Sequence, residues 1–141
     1  MASELTDRLV DRELEMDILG VAFAASFRLN VAEHAAARHS LDAVAKLDAA
    51  LFGCRDCRTV LRAIQSVIAD FGVAAPLLVR DRLREHRAFE EVRYVLPSVV
   101  DGAAGVIGAI DGYVERLARL AKRRAAYLRA TTEAARLLED R

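Results

Sequence analysis

Six apolar residues between positions 54 and 71 recur at alternating intervals of three and four. They are Cys54, Cys57, Leu61, Ile64, Ile68 and Phe71. This spacing, called here the cysteine seam, places all six along one face of an α-helix, whereas a strand would need an interval of two. We predict an amphipathic helix from about Asp56 to Phe71. It should end at Gly72, because glycine readily adopts the left-handed conformation found at helix C-termini.

The rest of the chain also favours helix. Alanine, leucine, arginine and valine dominate its 141 residues, tyrosine is rare and tryptophan is absent, so the summed propensities point away from strands. We expect a single all-α domain over residues 1–141, a bundle of six to seven helices with a long C-terminal helix. The other predicted helices run from Ser3 or Thr6 to Arg28, Asn30 to His39, Ser40 to Phe52, Pro76 to Val95 and Val99 to Glu139.

Four of the seven glycines fall within the last predicted helix, in the sequence DGAAGVIGAIDGY. They are Gly102, Gly105, Gly108 and Gly112. On a continuous helix they would share a face about 120° wide. Each costs up to about 1 kcal/mol in helix propensity, so their grouping indicates close packing. We expect a largely buried, glycine- and alanine-rich helix whose smooth face contacts either its own neighbours or a partner; the spacing fits both.

Cys54 and Cys57 are the only cysteines, and their Cys-x-x-Cys spacing allows two interpretations. Both begin the cysteine seam, so the first treats them as small buried hydrophobic residues. The second treats them as reactive thiols, since a helix N-terminus and the flanking Arg55 and Arg58 would stabilise a thiolate. The pair resembles the Cys-x-x-Cys of AhpD-like peroxide-reducing proteins over these four residues. That resemblance implies peroxide handling, although the family's histidine four residues later is Leu61 here.

Metal and cofactor sites have little support in the sequence. His34 and His39 have a spacing known from zinc modules, and with the two cysteines they would complete a four-ligand set. In a continuous helix, however, a separation of five residues turns the side chains about 140° apart. The Glu-x-x-His pairs of di-iron bundles do not occur. We therefore predict no metal and no cofactor, with the histidines either solvated or capping helices.

Charge is balanced overall but unevenly distributed. Lysine plus arginine and aspartate plus glutamate both number 21, which argues against a protein that holds polyanions by bulk attraction. Acidic residues dominate positions 4–17, and basic residues dominate positions 116–129. Arg116, Arg119 and Arg123 share a narrow helical face, which makes them a candidate patch for phosphate groups. We expect the first helix to lie beside the last, so that opposite charges meet.

Catalytic and targeting motifs are not found. The sequence holds no G-x-S-x-G, no phosphate-binding glycine loop and no H-E-x-x-H, which lowers the expectation of an enzyme without excluding one. The N-terminal region is acidic, and the apolar run over residues 18–27 is about half the length needed to span a bilayer. We expect an intracellular, cytoplasmic protein.

These observations together favour a protein–protein interaction module without enzymatic activity. We predict that it binds itself, as a homodimer or other homo-oligomer, or binds a partner helix. The contact would use the glycine face, the long C-terminal helix or a groove between helices. The alternative is a thiol redox or peroxide-handling protein using Cys54 and Cys57. A third hypothesis, which the balanced charge disfavours, is nucleic-acid binding through Arg116, Arg119 and Arg123.

Overall fold

The computed structural model describes residues 9–31, 34–101 and 107–140, without the side chains of residues 30, 31, 100 and 101. Within those ranges the chain forms seven α-helices and no strand, which confirms the predicted all-α bundle. The helices are α1 Arg12–Val31, α2 Ala35–Lys46, α3 Arg55–Phe71, α4 Pro76–Glu85, α5 Phe89–Val92, α6 Val95–Asp101 and α7 Ile110–Glu139. Short 3-10 turns cover Ala49–Leu51 and Ile107–Ala109.

Helix α1 forms the centre of the bundle. Its buried apolar side chains point in most directions around the helix axis: Leu14, Ile18, Leu19, Val21, Ala22, Phe23 and Ala25. A helix that is apolar on most sides must be covered by neighbours. Accordingly, α1 contacts α2, α3, α6 and α7. Most of the uncharged run over residues 18–27 is therefore buried at the centre of the bundle.

Helix α3 is the amphipathic helix that the cysteine seam predicts. Three seam residues are fully buried, namely Cys57, Leu61 and Ile64. The helix ends at Gly72, which has a φ of 79° and donates its N–H to the carbonyl of Ile68 at 2.7 Å. A left-handed φ favours glycine, because any side chain would be strained there. The predicted helix and its stop signal are both confirmed.

The predicted start of the first helix is wrong. Ser3 and Thr6 lie outside the described residues, but the backbone of residues 9–11 is not helical, so no helix runs continuously from either cap. Asp11 caps α1 instead, and its Oδ1 accepts the N–H of Leu14 at 2.9 Å. An aspartate at this position satisfies one of the free N–H groups in the first helical turn.

Helix α2 replaces two predicted helices with one. His34 caps its start, with Nδ1 accepting the N–H of Ala37 at 3.1 Å, so the predicted Asn30 cap is wrong. Ser40, predicted to cap a separate helix, lies in the middle of α2. Its buried hydroxyl lies 2.8 Å from the carbonyl oxygen of Ala36 and 2.9 Å from that of Ile107. These contacts satisfy the hydroxyl inside the helix and connect α2 to the second 3-10 turn.

The helix predicted to reach Val95 ends at Glu85. Arg87 adopts a left-handed φ of 57°. The N–H of Ala88 donates to the carbonyl of Leu83 at 2.9 Å, and the N–H of Arg87 donates to that of Arg84 at 3.0 Å. These two bonds form a Schellman motif, which normally has glycine at the left-handed position. Because this position holds arginine and not glycine, the sequence does not indicate that α4 ends here.

The long C-terminal helix is confirmed, but it begins at Ile110 and not at Val99. Residues 99–101 belong to α6, and a 3-10 turn precedes α7. A continuous glycine-rich helix through this region is therefore wrong, and the low helix propensity of glycine accounts for the interruption. Gly102 and Gly105 lie outside the described residues.

Candidate functional site

Cys54 and Cys57 lie at the N-terminus of α3 in two different environments. Cys54 is the N-cap residue and is half-buried, whereas Cys57, in the first turn, is fully buried. Burial raises the pKa of the Cys57 thiol, and its hydrogen bond with Cys54 and the charge of Glu15 raise it further. Cys57 is therefore a protonated thiol at neutral pH, in contact with a more accessible partner. The interpretation as a buried hydrophobic residue fits Cys57, whereas Cys54 is only half-buried.

A buried carboxylate, that of Glu15, holds the backbone beside the cysteines. The side chain is fully buried in α1; Oε2 accepts the N–H of Gly53 at 3.1 Å, and Oε1 accepts that of Cys54 at 3.0 Å. Burial raises the pKa of Glu15, while these two hydrogen bonds and the charges of Arg124 and Arg58 oppose part of the rise. Glu15 thereby joins the central helix to the start of α3.

Arg124 of α7 completes the polar contacts of this region. Its Nη2 donates to the carbonyl of Leu51 at 2.6 Å, and its Nη1 donates to the carbonyl of Leu9 at 3.2 Å. Gly53 lies directly beneath, where an added Cβ would come within 2.8 Å of Arg124 Nη1 and 2.6 Å of Val10 Cγ2. Close approach therefore favours glycine at position 53, and the helix that we predicted to run from Ser40 to Phe52 is wrong because α2 already ends at Lys46.

Neither Glu15 nor Arg124 stands out in the sequence as a candidate site residue. Glu15 resembles the other acids near the N-terminus, yet Leu19 and Ala22, four and seven positions further along α1, are buried on the same side as Glu15. A carboxylate in line with an apolar stripe is a signal of burial with partners. Arg124 likewise occupies a position in the apolar pattern of α7, which indicates that this charged side chain also has partners inside the fold.

An exposed polar cluster lies beside the cysteine pair. Arg12 donates to the Tyr94 hydroxyl at 2.6 Å and lies 5.2 Å from the centre of its ring, and Tyr94 donates to Asp56. The hydrogen bond to Asp56 is the main cause of the raised pKa of Tyr94. The cluster links the first turns of α1 and α3 to the segment before α6.

The histidines do not join the cysteines. His34 caps α2, and His39 Nε2 lies 2.9 Å from Asp111 Oδ1 in an exposed pair. Over the described ranges, no three side chains of His, Cys, Asp or Glu are arranged to hold a metal ion. Leu61, which stands where AhpD-like proteins have a histidine, is buried in the core. The described residues therefore provide neither a set of zinc ligands nor the proton-relaying histidine of AhpD-like proteins.

The glycine face is only partly described. Gly108, in the 3-10 turn, and Gly112, in the first turn of α7, are exposed, and an added Cβ at either would meet no atom within 4 Å. Among the described residues, these two glycines therefore make no close contact with a neighbouring helix, and they do not share one continuous helix. Whether Gly102, Gly105, Gly108 and Gly112 form an interface stays a prediction.

In the second half of α7, apolar side chains keep the helical spacing but are exposed to solvent. The first half packs on the bundle through buried Ile110 and Leu117 and half-buried Leu120. Beyond Leu120, no described residue of α7 belongs to the core cluster. The pattern nevertheless continues, at intervals of three and four, through a set called here the distal seam: Leu128, Thr131, Ala135 and Leu138. Leu128 is 50% exposed and Leu138 is 70% exposed.

The predicted contact between acidic and basic regions is confirmed within the chain. Arg116 Nη2 of α7 lies 3.3 Å from Asp11 Oδ2 at the start of α1. The patch of Arg116, Arg119 and Arg123 lines one groove together with Arg12. The sequence did not place Arg12 with the patch, because it lies more than a hundred positions away.

Comparisons with known proteins give no match. No protein-family model, curated protein or solved structure is similar to this chain. In the part of the chain that the structure describes, no single helix is long and apolar enough to cross a bilayer; α3 and α4 reach that length and composition only as a pair bent by 112°. Function must therefore be argued from the geometry of the sites alone.

Proposed function

We propose that the protein is a non-enzymatic helical module that associates with a second copy of itself through the distal seam. The observation that carries this proposal is the exposure of Leu128 and Leu138 on the same helical pattern whose first half packs in the core. An isolated helix of fewer than about 12–15 residues is marginal in water. The exposed last turns of α7 would gain stability from a partner that covers their apolar face.

The polar member of the distal seam is compatible with burial in such a contact. Thr131 donates its hydroxyl within its own helix, 3.1 Å from the Tyr127 carbonyl oxygen and 3.0 Å from that of Leu128. The hydroxyl would therefore lose no hydrogen bond when covered, and the side chain can present its methyl group to a partner. All four distal-seam residues can enter an apolar contact at low cost.

A second copy in antiparallel orientation fits the pattern of side chains. If Leu128 of one copy faces Ala135 of the other, Leu138 faces Ala125, so each large residue meets a small one. The same register brings the basic residues 122–124 of one copy beside acidic Glu139 and Asp140 of the other. Such a two-fold contact is self-complementary, and the zero net charge of the chain does not oppose it.

The test is the concentration dependence of the molar mass, measured by sedimentation equilibrium. We expect the wild-type protein to be dimeric at micromolar concentrations and the double variant Leu128→Glu, Leu138→Glu to be monomeric, because buried unpaired carboxylates would oppose pairing. Leu77→Glu is the matched control, since Leu77 is 63% exposed but lies on α4. A monomeric wild type, or a double variant as dimeric as the control, would contradict the proposal.

A second candidate function is thiol–disulfide exchange, favoured by the half-buried Cys54 in contact with the buried Cys57. Cys54, as thiolate, would attack a substrate disulfide, forming a mixed disulfide and releasing one thiolate. Cys57 would then lose its proton and attack Cys54 Sγ, which releases the second thiolate and leaves a Cys54–Cys57 disulfide. Burial and the negative charge of Glu15 raise the pKa of Cys57 and oppose its deprotonation, so this candidate is second.

Thiol titration of the native protein tests the second candidate. Modification of Cys54 in the folded state, together with a stable mixed disulfide in Cys57→Ser after exposure to oxidised glutathione, would support it. If neither thiol reacts until the protein is unfolded, both cysteines are structural and thiol exchange is eliminated.

A further inference from the structure

A groove rich in arginine lies between the start of α1 and the middle of α7. Its volume is about 440 Å³, which is within the range of small-molecule sites. Four arginines line it, Arg12, Arg116, Arg119 and Arg123, against one carboxylate, that of Asp11. Val10 and Leu120 supply apolar surface. Two segments distant in sequence therefore meet to concentrate positive charge in a concave site on a chain whose net charge is zero.

The four guanidinium groups differ in the contacts that they make with described residues of the chain. Arg116 contacts Asp11 and is within electrostatic reach of Asp17, while Arg12 donates to the neutral hydroxyl of Tyr94. For Arg119 and Arg123, no carboxylate oxygen of a described residue lies within 4.0 Å. Since each guanidinium carries five N–H donors, all four arginines retain donors for a ligand, and Arg119 and Arg123 retain the most.

We propose that this groove binds an anion that carries two or more linked phosphate groups. Arg116, Arg119 and Arg123 follow one face of α7 at intervals of three and four residues, which spreads their attachment points over about 10 Å of helix. Guanidinium groups bind phosphate oxygens through paired N–H donors. A row of this length suits linked phosphates better than a single one. The ligand is the oligophosphate of a nucleotide or of an inorganic chain, which share this chemistry.

The same features disfavour a nucleic-acid strand as the ligand. Single-strand sites combine a long basic track with several aromatic stacking platforms. Here the groove supplies four arginines, and none of the described residues that line it is aromatic. A polynucleotide would therefore gain little from the groove beyond what one or two phosphates provide.

Isothermal titration calorimetry of the full chain at low salt tests the proposal. The titrants are inorganic tripolyphosphate, adenosine triphosphate, orthophosphate and a single-stranded oligonucleotide. We expect both triphosphates to bind at least about tenfold more tightly than orthophosphate, because additional charge-assisted hydrogen bonds form. Tighter binding of adenosine triphosphate than of tripolyphosphate identifies a nucleotide, and equal binding identifies the oligophosphate alone.

The variant Arg119→Ala, Arg123→Ala should weaken triphosphate binding at least about tenfold. Both residues are exposed, so the fold should be retained, which circular dichroism verifies. Lys122→Ala, Arg129→Ala is the matched control, because it removes the same charge from the same helix outside the groove. No triphosphate binding at millimolar concentration, equal losses in the two variants, or tighter binding of the oligonucleotide would overturn the proposal. The variant Leu128→Glu, Leu138→Glu, whose substitutions lie outside the groove, should still bind triphosphate, so the two proposals fail separately.

Discussion

Replacing Glu15 with alanine should destabilise the protein by about 1–3 kcal/mol, the cost of two unsatisfied donors less the gain from removing a buried charge. Its two carboxylate oxygens accept the N–H groups of Gly53 and Cys54 inside the bundle. A buried donor left without an acceptor costs about 1–3 kcal/mol, and the Cys54 donor, which is closer to solvent, counts at the lower end. The removal of a buried charge offsets part of this loss, because burial already raises the pKa of Glu15.

Urea unfolding followed by circular dichroism at pH 7 measures this loss. Glu13→Ala is the matched control, since Glu13 lies in the same helical turn and is exposed. Its loss should stay below about 1 kcal/mol, the value of a carboxylate near a helix N-terminus. If Glu15→Ala costs no more than Glu13→Ala at an unchanged urea slope, then Glu15 does not hold the start of α3, and our description of this region is wrong.

Further predictions concern the same region and the helix ends. Burial raises the folded-state pKa of Glu15 above its ordinary 4.5. The stability that protonated Glu15 contributes is therefore complete below pH 4.5 and is lost as the pH rises through the folded-state pKa. Urea unfolding should show the wild type losing stability over that interval relative to Glu15→Gln. Gly72→Ala should lower the free energy of unfolding by about 1–2 kcal/mol, because its φ is left-handed. Arg87→Gly should raise the free energy of unfolding by about 0.5–1 kcal/mol, because the relief of the left-handed strain at Arg87 exceeds the entropy cost of glycine. A lower stability of this variant on thermal or urea unfolding would contradict this. Gly53→Ala should cost about 1–3 kcal/mol, since its Cβ would lie 2.6 Å from Val10 Cγ2, and unchanged stability would refute that contact.

The sequence predicted those helices whose signals are local. The cysteine seam and Gly72 define α3 because apolar spacing and a left-handed glycine act within a few residues. The end of α4 escaped prediction because Arg87 adopts the conformation that glycine usually supplies. The start of α1 was misplaced because Ser3, Thr6 and Asp11 are all suitable caps, and the choice between them depends on tertiary contacts.

The candidate sites were predictable only where one element supplies the residues. The cysteine pair and the row of arginines on α7 are visible as spacing in the sequence. Glu15 binds backbone groups of residues 53 and 54, and Arg12 meets Arg119 across the fold, so only the tertiary structure brings them together. The predicted glycine face was calculated for one continuous helix. That helix was wrong, because α7 begins only at Ile110.

Disulfide cross-linking across the proposed two-fold axis tests the self-association most directly. In a background with Cys54→Ser and Cys57→Ala, Thr131→Cys would lie close to its own copy, whereas Arg129→Cys would lie on the outer side of α7. Mild oxidation at micromolar concentration should convert Thr131→Cys into a covalent dimer of twice the 15.5 kDa chain mass and leave Arg129→Cys monomeric. Equal cross-linking of the two variants, or none in either, would contradict the antiparallel contact through the distal seam.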